Sequence, residues 1–211
     1  MTIGAMNAMK YDAMVIGAKE LEAGVDVLRA RMAEANFAFV SANVLMGGQL
    51  LAKPYAVIER AGTRIGILGL TSASAEVQGG VRVVDPVAAA RKYMPELRGQ
   101  ADVVIFLSSL EPREEQALLA AVSGADLVVG GGSMVPTREV VTIEGVPVVR
   151  AGGLGEYVGV TVVVLDKDHR VVECKHESRA LDASVPDDPE MAALKARYQT
   201  EYGERLTLQA D

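Results

Sequence analysis

The side chains that most often carry catalysis or bind metal ions are scarce in this chain. It has two histidines, His169 and His176, and one cysteine, Cys174. A single cysteine excludes a disulfide within the chain and any cysteine-based metal cluster. All three residues fall in a run that is typical of a β-hairpin, and no cysteine-protease signature surrounds Cys174. We therefore interpret them as a turn histidine, a strand histidine and a strand cysteine, and we expect neither a metal site nor a nucleophile there.

Three short loops that follow apolar, strand-like runs are the better candidates for a functional site. They are Gly17-Ala18-Lys19-Glu20, Leu107-Ser108-Ser109-Leu110 and Gly130-Gly131-Gly132-Ser133-Met134. In open α/β sheets, binding sites usually lie at the carboxyl ends of the strands. Ser109 is a potential nucleophile, but neither neighbouring loop offers a histidine base, so the sequence does not predict a catalytic triad.

Composition limits the classes of partner. The chain has 211 residues, half of them hydrophobic, and a formal net charge of −7 with a pI near 5.0. An acidic surface repels phosphate backbones, and Lys and Arg are scattered singly, so we expect no nucleic acid partner. No window approaches the roughly 18 consecutive apolar residues of a membrane span. The first residues lack the basic start and apolar run of a signal peptide.

Short β-rich runs alternate with helical stretches, which indicates an α/β layered fold. The spacing of apolar residues predicts one helix over Glu20–Ala35. Asp85 and Pro86 predict the start of another helix, with Asp85 as its N-cap. The chain after Gly130 reads as successive β-hairpins, followed by a helix within Asp187–Leu206. We expect a main domain over residues 1–180 and a linker helix and tail over residues 181–211.

Several segments resemble, in order, the motifs of the 5′-nucleotidase-type (calcineurin-like) metallophosphoesterases. Gly17, Glu20 and Gly24 match the motif GNHEFDxG, in which Ala18 and Lys19 stand at the Asn and His positions.

The resemblance continues through the rest of the chain. Phe39–Val44 is similar to the strand motif aNv, and Ala151–Gly159 is similar to a late glycine motif of the family. Ser109 stands at the histidine of the motif LSHLG, and Gly132 and Met134 stand at both histidines of GHsH.

In active members of this family, two metal ions polarise the phosphoryl group and supply a bound hydroxide. The resemblance implies that two further ligand motifs would precede Met1, and that the remaining site positions are Ala18, Lys19, Ser109, Gly132 and Met134. Alanine, glycine and methionine cannot replace nitrogen donors for such metals, and serine is a poor neutral ligand. We therefore expect no metal cofactor and no catalytic residue at these positions, while the motif residue Glu20 is kept.

Two features could still bind an anion. Consecutive backbone amides over Gly131, Gly132 and Ser133 could form an anion-holding nest, and Lys19 could add a positive charge. Alternatively, the glycines are present because the end of the strand requires unusual backbone angles, and Lys19 is solvated or paired with Glu20 or Glu22.

The resemblance implies a metallophosphoesterase-like αββα sandwich, two packed mixed β-sheets flanked by helices, which is N-terminally truncated. The leading hypothesis is a domain without catalytic activity that serves as a structural or partner-binding module, paired with a protein partner or with further copies of itself. The alternative is a weak phosphoesterase or a nucleotide- or phosphate-binding protein whose metal ligands are completed by another chain. The family resemblance suggests a periplasmic or extracellular location.

Overall fold

The structure is a computed structural model and describes residues 2–75, 77 and 79–207. The helices within these residues are α1 (Thr2–Ala8), α2 (Ala18–Glu22), α3 (Val25–Glu34), α4 (Pro86–Gln100), α5 (Pro112–Ala121) and α6 (Pro189–Thr207). The strands are β1 (Ala13–Val15), β2 (Ala38–Val40), β3 (Val44–Met46), β4 (Gln49–Leu50), β5 (Tyr55–Arg60), β6 (Thr63–Thr71), β7 (Val81–Val83), β8 (Val103–Ser109), β9 (Leu127–Gly130), β10 (Val141–Ile143), β11 (Val146–Arg150), β12 (Tyr157–Leu165) and β13 (Val171–Ala180).

A six-stranded mixed sheet in the order β10-β11-β9-β8-β6-β5 forms the centre of the fold. The four inner strands are parallel, and the edge strands β5 and β10 are antiparallel to their neighbours. Alternate residues of the inner strands, such as Leu68, Phe106 and Val128, are fully buried in one core with residues of α4 and α5. The predicted cap of α4 is confirmed, because the Asp85 carboxylate accepts hydrogen bonds from the amides of Val87 and Ala88.

Smaller sheets cover the other face of this sheet. The parallel pair β1-β2 crosses β6 so closely that a Cβ atom at Gly69 would lie within 3.0 Å of Val40. Val163 and Leu165 of β12 line a groove with Ile105 and Leu127 of the six-stranded sheet.

A second core lies on the far side of β1 and β2, where apolar residues of these strands pack with residues of α1 and α3. Helices therefore enclose two packed layers of strands, which confirms the predicted mixed α/β layered fold. None of the helices in the described residues has the length and apolar character needed to cross a lipid bilayer.

The prediction of one helix over Glu20–Ala35 is wrong. The helix is divided into α2 and α3 at Ala23–Gly24, where Gly24 has a φ of 85°. A left-handed φ suits glycine and ends a right-handed helical turn, although the apolar spacing continues across the break. The short strands β3, β4 and β7 were not predicted; they form a separate three-stranded sheet beside the second core.

An ion pair between β6 and the residue that precedes β8 makes the stability of the fold sensitive to acid. Asp102 accepts hydrogen bonds from the Arg64 side chain and backbone amide, and these bonds lower the pKa of Asp102 to about 2. A carboxyl group whose pKa is lower in the folded state adds stability above about pH 4 and loses it as pH falls towards 2.

We therefore expect Asp102→Asn to reduce the loss of stability that the parent protein shows between about pH 5 and pH 2. Urea unfolding at both pH values measures this difference. The control is Glu139→Gln, because Glu139 is exposed and has no ion pair in the part of the chain that the structure describes. An equal acid sensitivity in Asp102→Asn and the parent would contradict the prediction.

Candidate functional site

A cleft of about 510 Å³ lies where the carboxyl ends of β1, β6, β8 and β9 meet. Its walls come from four loops that are distant in sequence, and the lining residues are Gly17, Ala18, Lys19, Glu20, Glu22, Ser72, Ser74, Ala75, Ser109, Glu111, Gly131, Gly132, Ser133 and Met134.

Every site position predicted from the sequence lines this cleft. The structure brings together Ala18, Lys19, Ser109, Gly132 and Met134, which the resemblance places at the metal site. The remaining predicted residues, Glu20, Gly131 and Ser133, lie in the same walls. The chemical roles given to these residues stay predictions.

The two charged residues at the start of α2 have partners within their own loop. The Glu20 carboxylate accepts a hydrogen bond of 2.9 Å from the Gly17 amide and so caps the helix. The Lys19 ammonium pairs with Glu22 at 3.0 Å, and its side chain is 84% exposed. A pair this exposed contributes little to stability.

A hydrogen-bond network joins the loop after β6 to the start of α5. The hydroxyls of Ser72 and Ser74 are 2.7 Å apart, and Ser74 donates to Glu111 at 3.4 Å. Glu114 accepts from the amides of Ala73 and Glu111. Sequence reasoning did not identify Ser72 and Ser74, although both follow directly after the apolar run of β6.

The cleft offers less to an anion than the sequence suggested. The Gly131 amide already donates to the Ser108 carbonyl oxygen at 2.7 Å, so it is not free to bind a ligand. Among the described residues that line the cleft, the three carboxylates of Glu20, Glu22 and Glu111 outnumber the one cation, Lys19. This balance of charge disfavours the proposed anion site on electrostatic grounds.

The residues of the cleft also do not fit a two-metal centre. No group of three or more His, Cys, Asp or Glu side chains in the described residues is arranged to hold a metal ion. Neither histidine lines the cleft: His169 lies in the β12–β13 turn, and His176 in β13 bonds to Thr161 at 2.8 Å. Each lining carboxylate has a hydrogen-bond or ionic partner. We therefore assign no step of chemistry to a metal ion in this chain.

A larger cavity of about 790 Å³ lies at the opposite end of β8 and β9. Two of its charged residues, Arg98 and Asp126, form an ion pair at 2.8 Å. Cys174 also lines it, and burial raises the pKa of the Cys174 thiol above its ordinary value. A raised pKa lowers the thiolate fraction, which agrees with the interpretation of Cys174 as a strand residue.

Two buried polar groups hold the loops of the cleft in place. Asn43 is fully buried and bonds to the backbone of Thr71, the last residue of β6, through both atoms of its amide. Glu115 of α5 pairs with Arg150 of β11 beneath Gly130. Asn43 belongs to the motif aNv, but no sequence pattern indicated that Glu115 pairs with Arg150.

Comparison with known proteins places this sequence and fold among the phosphoesterases. No family model matches the chain. The chain is 30% identical over 218 residues to 5′-nucleotidase from Bos taurus, an alignment that covers 89% of this chain and 38% of that protein. The chain thus spans about two fifths of the length of this relative.

Solved structures give the same result. A 5′-nucleotidase precursor from Thermus thermophilus superimposes with a TM-score of 0.83 at 29% identity, over 96% of this chain and 45% of that one. The calcineurin-like phosphoesterase YfkN from Bacillus subtilis matches with a TM-score of 0.80 over 99% of this chain and 75% of that one. At 24% sequence identity, this match establishes similarity of fold only. The chain is therefore a metallophosphoesterase domain. Its similarity to the bovine and Thermus proteins makes it a domain of the 5′-nucleotidase type.

Proposed function

We propose that this domain has no phosphoesterase activity of its own and serves as a structural or partner-binding module. The observation that carries the proposal is the cleft, where the family fold is kept but the positions for metal ligands hold Ala18, Ser109, Gly132 and Met134. None of these side chains is an adequate donor for the divalent ions of this enzyme class.

The free edge of β12 supports partner binding. In the described residues β12 pairs with β13 alone, so one row of its backbone N–H and C=O groups has no strand partner. Its nine residues include no charged side chain and no proline. An unprotected edge of this kind readily pairs with a strand of another chain.

The neighbouring strand β13 provides a contrast. It carries Glu173, Lys175, Glu177 and Arg179, and charges along an edge strand oppose further pairing. Val162 and Val164 of β12 are 53% and 40% exposed. The contrast favours β12 as the edge that receives a strand from another polypeptide.

The test of inactivity uses the protein at its natural full length. We expect elemental analysis to find no stoichiometric Mn, Zn or Fe, and we expect no cleavage of 5′-nucleotides or aryl phosphates above background in added Mn²⁺ or Zn²⁺. Metal-dependent turnover would overturn the proposal. It would favour the alternative, a weak phosphoesterase whose ligands are completed by another chain.

Partner binding is tested with a charge placed on the β12 edge. We expect Val162→Lys to abolish self-association, measured by light scattering, or capture of a partner, measured by pull-down. The reason is that a lysine side chain on an edge strand opposes pairing with a further strand. The matched control is Val172→Lys on β13, at a valine that is 61% exposed. Equal association in both variants would exclude β12 as the interface.

A further inference from the structure

The loop after β9 passes very close to the backbone at the start of α5. A Cβ atom at Gly132 would lie within 3.0 Å of the carbonyl group of Leu110, a separation that real Cβ atoms essentially never show. Since the obstacle is backbone, it cannot rotate away as a side chain could.

The side chain and the backbone of Leu110 are both fixed by their contacts. Its side chain is fully buried in the core under α4 and α5, and its amide donates to the Ser108 hydroxyl at 3.2 Å. The next residue, Glu111, is the N-cap of α5 and takes part in its capping box. Moving the Leu110 carbonyl would therefore disturb both the core and the start of this helix.

The adjacent glycine has no such restriction. A Cβ atom at Gly131 would meet the Ser108 carbonyl oxygen at 3.7 Å, which is an ordinary contact. Neither Gly131 nor Gly132 has a positive φ, so backbone angle does not distinguish the two positions. The difference between them is space alone.

We infer that position 132 accepts no side chain while the loop and the start of α5 keep this arrangement. The absence of a histidine there is then fixed by the backbone, and restoring side chains alone does not rebuild a metal site. Met134, at the second histidine position of the motif GHsH, also has contacts of its own. Its carbonyl accepts a hydrogen bond from the Gly153 amide at 3.2 Å, and its thioether packs against Gly153. This inference does not depend on the partner proposed for β12.

The first test compares two alanine substitutions one residue apart. We expect Gly132→Ala to lower the Tm by at least about 5 °C, because overpacking against a fixed backbone destabilises the fold. We expect Gly131→Ala to stay within about 2 °C of the parent. Equal Tm values for the two variants would overturn the inference.

The second test asks whether a zinc site can be rebuilt. Three imidazoles in one cleft form a normal zinc ligand set. We expect the double variant Ser109→His/Met134→His to keep the fold. We expect the triple variant, which adds Gly132→His, to have a lower Tm than the double variant, and we expect Zn²⁺ not to raise that Tm.

If the triple variant had the Tm of the parent and Zn²⁺ raised this Tm, the inference that position 132 accepts no side chain would be contradicted. Phosphatase assays on the unmodified protein test the proposed function separately, so failure of one idea leaves the other to be judged by its own experiment.

Discussion

Replacing Glu115 with alanine is expected to lower the free energy of unfolding by about 3–5 kcal/mol, the usual cost of removing one partner from a buried ion pair. Glu115 is 0% exposed and its partner Arg150 is 8% exposed. Burial already lowers the pKa of the Arg150 guanidinium, and within the residues that the structure describes the Arg150 Nε has no hydrogen-bond partner. Without Glu115, a buried positive charge would lose its counter-ion.

Urea unfolding at neutral pH measures the loss. The double variant Glu115→Leu/Arg150→Met serves as one control and is expected to recover most of the stability, since a buried pair can often be replaced by apolar side chains. The second control is Glu34→Gln, which breaks an exposed pair with Arg31 and should cost less than about 0.5 kcal/mol. A loss below about 1 kcal/mol for Glu115→Ala would show that the pair is not essential.

The second large effect is expected at Asn43. Its amide donates to the carbonyl oxygens of Thr71 at 2.7 Å and Val84 at 2.9 Å, and it accepts from the Thr71 amide at 2.9 Å. Asn43→Ala removes the side-chain partner of the Thr71 amide and of the Thr71 carbonyl in a buried position, and that of the Val84 carbonyl in a partly buried one. At about 1–3 kcal/mol for each of the two buried groups, the stability should fall by about 2–6 kcal/mol.

Ser41→Ala is the matched control for Asn43→Ala, because it removes one hydroxyl bonded to Thr71 at 2.9 Å in the same buried region. It should cost about 1 kcal/mol. Hydrogen exchange of the Thr71 amide, measured beside urea unfolding, should accelerate most in Asn43→Ala. Equal losses in both variants would contradict a special role for the Asn43 amide.

The features that sequence reasoning predicted correctly are governed by short stretches of chain. The Asp85–Pro86 helix start and the β-hairpins after Gly130 both depend on residues that are close together in the chain. The break at Gly24 was missed because periodicity records which face of a helix is apolar, and that pattern continues across a left-handed residue.

The site shows the same division. The order of the motifs predicted that loops around Ala18, Ser109 and Gly132 meet, and they line one cleft. The sequence could not show that Glu115 pairs with Arg150, because that contact depends on the packing of α5 against β11. Nor could it show the proximity of Gly132 to Leu110, which depends on the path of the backbone.

That proximity has a consequence for the history of the chain. If position 132 accepts no side chain, a mutation to histidine there would destabilise the fold before any benefit from metal binding could appear. The loop or the start of α5 would have to move first, through changes that give no catalytic advantage by themselves. Through single substitutions that each preserve the fold, a change from histidine to glycine at this position would then be far easier than a change from glycine to histidine.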